Sequence, residues 1–468
     1  MSFHLAVDIG ASSGRCVLGW LKDSAPSAIG SLCIEEIHRF PNKLIERNGH
    51  LCWDINALFN EIITGLRKCK DIGKIPQAIG IDTWAVDFVL LDKNGNVLGD
   101  TVAYRDKRTE GCDIDVYAKI PEAEIFSRTG IQKQLFNTIY QLRAVQRDNP
   151  AMLDNAEHFL MLPDYLHYKL CGEFSNEYTN ATSTGLVNAK SKQWDKSIIE
   201  TLGFPPHLFK PLTKPATLLG KLSANIIEAI GFNCEVITPV THDTPSAIMA
   251  VPSNDSIYIS SGTWSLMGIE TDTPICSEET RQLNFTNEGG FNNYCFRKNI
   301  MGLWLINEAK RELNCDFSFA QLCESAEAEN IPSIIEANNN RFFSPNSMTA
   351  EIKAACFETD QKPPETPAQF ARVIYRSLAH CYAETVREIE TLSKRKFDVI
   401  HIVGGGANAD YLNRLITETT GKTVRVNPTE ASAIGNITAQ MITCGKIKDL
   451  NEARELIAGS FNIKEYNG

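Results

Sequence analysis

The N-terminal part of the chain alternates short apolar runs with amphipathic segments. Apolar runs predict four strands, at residues 5–9, 15–21, 31–40 and 78–82. Between the last two strands, apolar side chains recur on one face from Asp54 to Lys68, which predicts an amphipathic helix. Strands that lead into a helix and then into another strand indicate an α/β domain.

The remaining pattern predicts further strands and helices. A hairpin is predicted over residues 87–98 because Asn94-Gly95 is a strong turn signal. Residues 116–210 are predicted to be mostly helical, with a helix at 156–171 that ends at Gly172. The second half is predicted to contain strands at 235–240 and 399–403 and helices at 245–251, 367–393 and 410–420.

Two segments, Ala6–Leu18 and Ile257–Gly268, share one design. Each is an apolar strand, a Ser-Ser-Gly turn and a second strand. Such turns leave backbone N–H groups bare and let the chain approach a phosphate closely. Because the segments lie about half the chain apart, they suggest two similar domains that clasp a polyphosphate. This organisation is typical of an α/β fold with two actin-like (ribonuclease H-like) domains and an intervening ligand cleft.

Length and charge narrow the class of protein. A chain of 468 residues is too long for one ordinary core, and we place the domains at 1–247 and 248–468. The net charge of −11, without a basic run, argues against nucleic acid or an anionic membrane as partner. No apolar run approaches the ~20 residues that span a bilayer. The first residues do not read as a signal peptide, so we expect a cytoplasmic protein, either a monomer or a small homo-oligomer.

The 14 cysteines are scattered and form no Cys-x-x-Cys pair. In a chain without a signal peptide, this distribution favours reduced thiols in the core over disulfides or a zinc site.

Asp243 is the strongest catalytic candidate. It follows an apolar strand, and Pro245 is predicted to be the first residue of a helix. A carboxylate at a helix N-terminus is stabilised in its ionised form. Transfer of a phosphoryl group to a hydroxyl needs such a group to orient the alcohol and accept its proton. The alternative is that Asp243 only caps the helix.

The two hairpins supply candidates for nucleotide contacts. Residues 12–14 are predicted turn residues, and Arg15 adds a cation. Asp8, just before the turn, could hold Mg²⁺ through water, or could bond the backbone of its own turn. In the second hairpin, Thr263 is expected to face the phosphates and Trp264 to lie in the core.

A glycine run, Gly404–Gly406, separates a predicted strand from a predicted helix. It partly matches the dinucleotide fingerprint, but the next strand ends in Asn427 rather than in an acidic residue. The turn therefore favours an adenosine site over a dinucleotide site.

Several polar clusters offer donors and acceptors for a polyhydroxylated ligand. They are Asp82–Asp87, Tyr104–Arg108, Thr179–Thr184, and Asn299 with Asn307, which flank a predicted helix around Trp304. The alternative for each cluster is an ordinary loop or cap.

Segments in order along nearly the whole chain carry a resemblance to a known family. They are Val7–Arg15, Glu36–Phe40, Gly80–Phe88, Ala103–Asp106, Leu162–Tyr165, Glu177–Thr182, His242–Thr244, Ser260–Gly268, Thr286–Gly290, Asn299–Trp304 and His401–Gly406. The most specific are Ser-Ser-Gly-Thr-Trp-Ser-Leu-Met-Gly at 260–268 and Asp-Thr-Trp-x-Val-Asp-Phe at 82–88. In these residues the chain resembles the FGGY carbohydrate kinases, and most of all those that phosphorylate L-rhamnulose at O1.

The resemblance implies that ATP and Mg²⁺ are used to phosphorylate L-rhamnulose, with Asp243 as the base. It implies ketose contacts from Ala85, His242, Asp243, Thr244 and Asn299. It implies ATP contacts from Ala11, Ser12, Ser13, Gly14, Arg15, Thr263, Asn307 and Gly405. Closure of the two domains over both ligands is expected, because water would otherwise hydrolyse ATP.

The chain departs from the family pattern at two of these positions, and alternatives stay open. Position 85 often carries Gly and here carries Ala, and position 307 can carry Gln and here carries Asn. The alternatives are an FGGY kinase for L-fuculose or xylulose, a non-catalytic actin-like sugar or nucleotide sensor, and an NAD-dependent dehydrogenase. Asp243 argues against the sensor, and the weak glycine match argues against the dehydrogenase.

Overall fold

A computed structural model describes residues 1–22, 30–426 and 428–467, so Asn427 of the sequence argument lies outside the described residues. The strands are β1 (Phe3–Ile9), β2 (Ser13–Lys22), β3 (Ser31–Pro41), β4 (Leu44–Arg47), β5 (His50–Trp53), β6 (Pro76–Thr83), β7 (Phe88–Leu91), β8 (His158–Met161), β9 (Val187–Asn188), β10 (Gln193–Trp194), β11 (Thr217–Lys221), β12 (Glu235–Thr238), β13 (Ile257–Ser261), β14 (Trp264–Thr271), β15 (Phe285–Gly289), β16 (Tyr294–Met301), β17 (Val399–Val403), β18 (Thr423–Val426) and β19 (Lys464–Tyr466).

The α-helices are α1 (Ile55–Asp71), α2 (Cys112–Tyr117), α3 (Glu122–Thr129), α4 (Thr138–Asp148), α5 (Pro150–Asp154), α6 (Leu162–Cys171), α7 (Tyr178–Thr182), α8 (Lys196–Leu202), α9 (Ala224–Ile230), α10 (Asp243–Met249), α11 (Glu278–Gln282), α12 (Trp304–Glu312), α13 (Phe319–Ala328), α14 (Met348–Glu358), α15 (Pro367–Ser393), α16 (Asp410–Thr420), α17 (Ala431–Thr443) and α18 (Leu450–Ser460). Of the described helices, none combines the length and the apolar character that crossing a bilayer requires.

The chain forms two compact units. Unit 1 contains residues 1–252, 271–296 and 432–460, and unit 2 contains residues 253–270, 297–431 and 461–468. The boundary predicted between residues 247 and 248 lies near the first crossing of the chain from unit 1 to unit 2. Residues 271–296 and 432–460 return to unit 1, which no local pattern in the sequence predicts.

The sheet of unit 1 has six strands in the order β11-β12-β6-β1-β2-β3. Strand β1 pairs antiparallel with β2 and parallel with β6, and β6 pairs parallel with β12. Helix α1 covers this sheet with its apolar face, and Leu58, Ile62 and Leu66 are buried in the same core as strand residues Leu5 and Val7. The predicted α/β pattern of this unit thus arises because one face of α1 is apolar.

The sheet of unit 2 repeats the central arrangement of the first. Strand β13 pairs antiparallel with β14 and parallel with β17, and β17 pairs parallel with β18. In each unit a hairpin is therefore followed, after a long insertion, by two parallel strands on the same side. The repeated design that was read from the two Ser-Ser-Gly hairpins corresponds to this repeated topology.

Two predicted elements differ from the structure. The helix predicted at 156–171 begins only at Leu162, because residues 158–161 form β8, which pairs antiparallel with β7. The turn at Asn94-Gly95 forms, with Gly95 at a φ of 79°, but its flanks make only one bridge, between Leu91 and Val97. Strand β7 takes its full-length partner from 158–161, which no local pattern indicates.

Helix α17 packs closely against α10 within unit 1. A Cβ atom on Gly435 would lie 1.9 Å from the backbone oxygen of Ser246, which is closer than atoms can approach. The Ser246 hydroxyl donates to the Ser432 carbonyl oxygen at 2.9 Å and ties the same two helices together. The glycine thus sets the position of α10.

Gly435→Ala should lower the free energy of unfolding by about 1–3 kcal/mol, because the methyl group forces α17 away from α10. Urea unfolding followed by circular dichroism measures the change. Gly459→Ala in α18 is the matched control, since its Cβ would meet nothing within 4 Å. The control should be neutral or slightly stabilising. Equal stability of the two variants would contradict the proposed close contact.

Candidate functional site

The first hairpin holds a buried carboxylate at its mouth. Asp8 is the penultimate residue of β1, and Arg15 lies opposite it on β2. The Arg15 guanidinium donates to Asp8 Oδ2 from Nε at 2.9 Å and from a terminal nitrogen at 2.6 Å. Asp8 is 4% exposed and the Arg15 side chain is 24% exposed, so this charge pair is partly shielded from solvent. Two roles were considered for Asp8, metal binding and bonding to the backbone of its own turn. Neither of them accounts for this contact with Arg15.

The turn lies two residues earlier than predicted. Ser13 and Gly14 already belong to β2, and the turn comprises Gly10–Ser12, of which Ser12 is exposed. The Asn42 side chain donates to the Gly10 carbonyl at 3.0 Å and steadies the turn from outside. Gly14 is buried, and a Cβ there would lie 2.2 Å from the ring of Phe40. Its lack of a side chain is therefore explained by ring packing.

A second buried carboxylate lies beside Asp8. Strands β1 and β6 are in parallel register, with Asp8 directly opposite Asp82. Asp82 is fully buried, and its Oδ2 accepts a 2.6 Å hydrogen bond from the Asn436 side chain. Burial, the nearby charge of Asp8 and that of Asp243 raise the pKa of Asp82 well above its usual value, against the Asn436 hydrogen bond and the charge of Arg15. Unit 1 thus brings three of its carboxylates close together.

Asp243 is the first residue of α10. Strand β12 ends at Thr238, and the backbone passes β6 at Thr241, whose carbonyl oxygen accepts from the Thr83 N–H at 2.9 Å. The helix begins two residues before the predicted start, so Pro245 is its third residue and His242 is the N-cap. Asp243 is therefore not the capping residue, contrary to the alternative reading. Its side chain is 30% exposed, which leaves it accessible to a ligand.

The neighbours of Asp243 are polar. His242 Nε2 lies 3.5 Å from Asp243 Oδ1, and its Nδ1 lies 3.3 Å from Glu288 Oε2. The Thr244 hydroxyl donates to Asp243 Oδ1 at 3.2 Å. Of the three residues expected to contact the ketose here, His242 and Thr244 are buried and Asp243 is the most accessible. Glu288, which was not singled out from the sequence, joins the group through His242.

The loop after β6 presents Ala85 from a rigid base. Asp87 is buried and accepts hydrogen bonds from the indole N–H groups of Trp53 at 2.6 Å and Trp84 at 2.8 Å. Val86 has a φ of 70°, a left-handed conformation that is costly for a β-branched residue. Between these anchored neighbours, Ala85 is partly exposed. Asp87 therefore orders the loop from within and does not itself face a ligand.

The hydroxyl-rich segment at Thr179–Thr184 lies in the interior. Its first part forms α7, and every residue from 179 to 184 is buried. Its hydroxyl groups bond mainly to nearby carbonyl oxygens, as in Thr182 to Thr179 at 2.7 Å and Ser183 to Asn180 at 2.7 Å. The cluster is structural, as the alternative reading held.

In unit 2, the second hairpin leaves Thr263 exposed at its turn. The backbone carbonyl of Thr263 accepts from the Trp304 N–H at 3.0 Å, which joins the turn to the start of α12. The expectation that Trp264 lies in the core is wrong, since the side chain is 36% exposed and its ring packs at a tilt of 52° near Phe343. Strand alternation places Ser265, not Trp264, on the buried face.

The Gly404–Gly406 turn packs beside this hairpin. Gly404 has a φ of 87°, and a Cβ on it would lie 2.7 Å from the Ser261 carbonyl oxygen. A Cβ on Gly406 would lie 2.0 Å from the Ser261 hydroxyl oxygen. Gly405 is exposed, and a Cβ there would meet nothing within 4 Å. The outer glycines are needed for packing, and the middle one faces open space.

Asn307 and Asn299 also lie in unit 2. Asn307 belongs to the first turns of α12 rather than flanking it, and it is partly exposed. Asn299 is partly exposed on β16, and its side-chain oxygen accepts from the buried Arg297 guanidinium. The structure thus places Thr263, Gly405 and Asn307 on connected elements, because the hairpin turn bonds to the start of α12 and Gly406 packs near Leu303.

Within the part of the chain that the structure describes, no three His, Cys, Asp or Glu side chains group as a protein-only metal cage would require. The carboxylates beside the first hairpin are Asp8 on β1 and Asp82 opposite it on β6. The buried Oδ1 of Asp82 has no hydrogen-bond partner among the described residues. A site of one or two carboxylates completed by water and phosphate oxygens is the type that Mg²⁺ prefers.

Comparison with known proteins identifies the family. Residues 3–250 match the N-terminal domain, and residues 257–444 the C-terminal domain, of the FGGY family of carbohydrate kinases. A rhamnulokinase of Halalkalibacterium halodurans is 48% identical over 468 residues, which cover 100% of this chain and 99% of that protein. A rhamnulokinase of Bacillus subtilis is 42% identical over 468 residues, which cover 99% of this chain and 95% of that protein.

Solved structures of low sequence identity share the fold. A ligand-bound xylulose kinase from Lactobacillus acidophilus superposes with a TM-score of 0.82 at 14% identity, covering 100% of this chain and 94% of that one. A glycerol kinase from Plasmodium falciparum with ADP gives a TM-score of 0.79 at 14% identity, covering 99% and 94%. The predicted two-domain, actin-like α/β fold and the predicted family are both confirmed. The chain belongs to the FGGY family of carbohydrate kinases.

Proposed function

We propose that the protein transfers the γ-phosphoryl group of ATP to O1 of L-rhamnulose, giving L-rhamnulose 1-phosphate and ADP. The observation that carries this substrate is the 48% identity, over the full length of both chains, to a rhamnulokinase. Kinases named for xylulose, gluconate and glycerol match the fold at only 14% identity. These support the architecture and carry no argument about the sugar.

The reaction needs one base and a set of groups that hold the phosphates. Asp243 accepts the proton of the O1 hydroxyl as the oxygen attacks the γ-phosphorus. The bond from O1 to phosphorus forms, the bond from phosphorus to the bridging oxygen breaks, and ADP leaves. The 30% exposure of Asp243 and its place at the start of α10 suit this role.

We assign the sugar contacts to unit 1 around Asp243, with Asn299 of unit 2 as a further contact. His242 and Thr244 adjoin Asp243 in sequence. Ala85 lies in the loop after β6, close to the point where Thr83 bonds to Thr241. A ketose presents several hydroxyl groups, and the hydroxyl, imidazole and amide groups of these residues offer matching donors and acceptors. Ala85 would narrow the site slightly compared with a glycine at that position.

We assign the nucleotide contacts to Ala11, Ser12, Ser13, Gly14 and Arg15 of the first hairpin and to Thr263, Asn307 and Gly405 of unit 2. Exposed turn amides and a nearby guanidinium are suited to phosphate oxygens. Gly14 is buried and has no side chain, so any contact that it makes with the nucleotide would come from its backbone. Gly405, exposed and without a side chain, would allow the adenosine moiety to approach the backbone.

Asp8 and Asp82 would hold Mg²⁺ through water and the phosphates of ATP. When bound, the ion neutralises charge on the transferring phosphoryl group. Asp8 pairs with Arg15, so a cation that faces Asp8 would compete with the Arg15 guanidinium for this carboxylate. Binding of Mg²⁺ and a change of partner for Arg15 are therefore expected to go together.

A panel of ketoses tests the proposal. ADP release is followed by a coupled assay with L-rhamnulose, L-fuculose, D-xylulose and L-ribulose, each with ATP and Mg²⁺. We expect kcat/KM to be highest for L-rhamnulose. A higher value for another ketose would make the protein a kinase for that sugar, and no ADP release with any of them would favour the non-catalytic sensor.

Thr263→Val should raise the KM for ATP about tenfold or more and leave the KM for the ketose nearly unchanged, because a hydrogen bond to a charged phosphate is worth about 1.5–3 kcal/mol. Steady-state kinetics with each substrate varied in turn measures both constants. Thr359→Val, at another exposed threonine of unit 2, is the control. A larger rise in the ketose KM would place this hairpin on the sugar side.

A further inference from the structure

One buried carboxylate has no role in the proposed chemistry, although it lies in a segment that carries the family resemblance. Glu177 is fully buried just before α7. Its Oε1 accepts from the Thr179 N–H at 2.8 Å. Its Oε2 accepts from the Thr241 N–H at 3.1 Å, from the Thr241 hydroxyl at 2.8 Å and from the Thr179 hydroxyl. The Asn180 N–H, 3.4 Å from Oε2, also donates, so five donors converge on one carboxylate.

Burial raises the pKa of Glu177, and the hydrogen bonds that its carboxylate accepts from Thr179 and Thr241 oppose this rise. An ionised carboxylate only accepts hydrogen bonds, whereas a protonated one must also donate. Three of the five donors are backbone N–H groups, which cannot reverse their direction. Hydrogen bonds to an ionised acceptor are about twice as strong as neutral ones. Glu177 thus holds Thr241 at both its N–H and its hydroxyl, and ionisation of the carboxylate strengthens this hold.

Thr241 lies two residues before Asp243. Its carbonyl oxygen accepts from the Thr83 N–H at 2.9 Å and from the Asn180 side chain at 3.3 Å. Its N–H and hydroxyl both bond to Glu177, so every polar group of this fully buried residue is engaged. The only residue between Thr241 and the start of α10 is His242. A displacement of Thr241 would therefore be passed directly to Asp243.

We infer that Glu177 is a positioning residue for phosphoryl transfer, which sets the position of the Asp243 carboxylate through Thr241. The inference rests on the proposed role of Asp243. Glu177 touches no substrate in this account and acts through the backbone of residues 241–243. Misplacement of a reacting group by ~1 Å costs up to about 10²-fold in rate. A small displacement of residues 241–243 is therefore enough to lower the rate of phosphoryl transfer.

Glu177→Gln is the sharpest test, because it keeps the shape and replaces one accepting oxygen with an NH₂ donor. Whichever way the amide is turned, its NH₂ group faces a backbone N–H, of Thr241 or of Thr179. We expect kcat to fall about 10–100-fold, with the KM for ATP unchanged. Thr241→Val, which removes only the hydroxyl, should give a smaller fall of the same kind, and the two effects should be non-additive in the double variant.

Thr129→Val is the control for the loss of a buried hydroxyl group. Thr129 is buried, and its hydroxyl bonds to its own segment, donating to the Ile125 carbonyl oxygen at 2.8 Å and accepting from the Ile131 N–H at 3.3 Å. The free energy of unfolding in urea should fall in both Thr129→Val and Glu177→Gln, but kcat should fall only in Glu177→Gln. Equal losses of kcat in the two, or an unchanged kcat in Glu177→Gln, would overturn the inference.

Amide hydrogen exchange gives a second readout that does not depend on activity. Peptides covering residues 239–247 should exchange faster in Glu177→Gln than in the wild type or Thr129→Val, because the Thr241 N–H loses its acceptor. Unchanged exchange would overturn the positioning role. If the wild type phosphorylates no ketose, the proposed function fails, and this exchange measurement still decides whether Glu177 holds the segment.

Discussion

Replacing Asp243 by Asn should lower kcat for ketose phosphorylation by about 10²–10⁴-fold, the usual contribution of a positioned acid–base group. Asparagine keeps the size of the side chain and its place at the start of α10, but it cannot accept the O1 proton. The KM values should change little, since the amide can still accept hydrogen bonds. A coupled ADP-release assay measures the loss, and unfolding in urea checks that the variant folds.

Asp410→Asn is the matched control for that experiment. Asp410 is the first residue of α16, as Asp243 is of α10, and it bonds to Lys464 and Tyr466 on β19. Its replacement removes an aspartate from the same helical position without touching the proposed chemistry. Comparable kcat for Asp243→Asn and Asp410→Asn would exclude Asp243 as the base.

The second large effect concerns stability in acid. His4 is fully buried in β1, and neither ring nitrogen has a hydrogen-bond partner among the described residues. Burial and the charge of Lys446 lower the pKa of His4 to about 4. Burial likewise lowers the pKa of His167 to about 3, and its Nε2 accepts from the Ile81 N–H at 3.0 Å. Both imidazoles are therefore neutral in the folded protein.

The sign of the pH dependence follows from these pKa values. Between about pH 6.5 and pH 4, the unfolded chain binds a proton at each histidine that the folded chain does not bind. The free energy of unfolding therefore falls as the pH is lowered, by at most ~1.4 kcal/mol per pH unit for each histidine. The raised pKa of buried Asp82 and Asp164 acts in the opposite direction, because the folded protein holds those protons more tightly above pH 4.

His4→Met isolates one of these contributions. Methionine fits an apolar site and does not titrate, so the variant should lose about 2 kcal/mol less stability than the wild type between pH 7 and pH 5. Urea unfolding at the two pH values measures the difference, in which the carboxylates cancel. His380→Met controls for removal of an exposed imidazole. Parallel pH profiles for wild type and His4→Met would show that His4 is charged in the folded state.

Local patterns were sufficient for much of the fold. Helix α15 was predicted at its observed bounds, because Pro367 fixes its first turn and a long apolar stripe continues to Ser393. Helix α16 likewise ends where Gly421 takes a left-handed conformation, with a φ of 68°. These elements are specified by residues within them, so neighbours in the sequence were enough.

Elements that depend on distant partners were not predictable in the same way. Strand β8 looked like the start of a helix, and it became a strand because β7, about 70 residues earlier, offers a partner. Trp264 looked like a core residue by its type, and only the register of β14 places it outside. The residue type indicates how apolar a side chain is, but the register of the strand decides whether that side chain faces the core or the solvent.

The residues of the candidate site also divide into those with local sequence signals and those that depend on distant partners. Asp243, Thr263 and Gly405 were found from turns and strand ends, which are local signals. Glu177 was missed as a functional candidate because its partner Thr241 is 64 residues away, although both lie in segments quoted for the family resemblance. A buried acidic residue just before a run of hydroxyl side chains was the signal that could have found it.

The packing of α17 has a consequence for how the chain is made. The side chains of Asn436 and Gln440 donate to backbone oxygens of Gly80 and Leu5 in the central strands of the first sheet. Those strands are synthesised hundreds of residues before α17 leaves the ribosome. Until then the carbonyl groups and Asp82 lack their partners, so the N-terminal half cannot complete its fold during translation. A fragment that ends near residue 250 should therefore expose this surface and aggregate, whereas the whole chain covers it last.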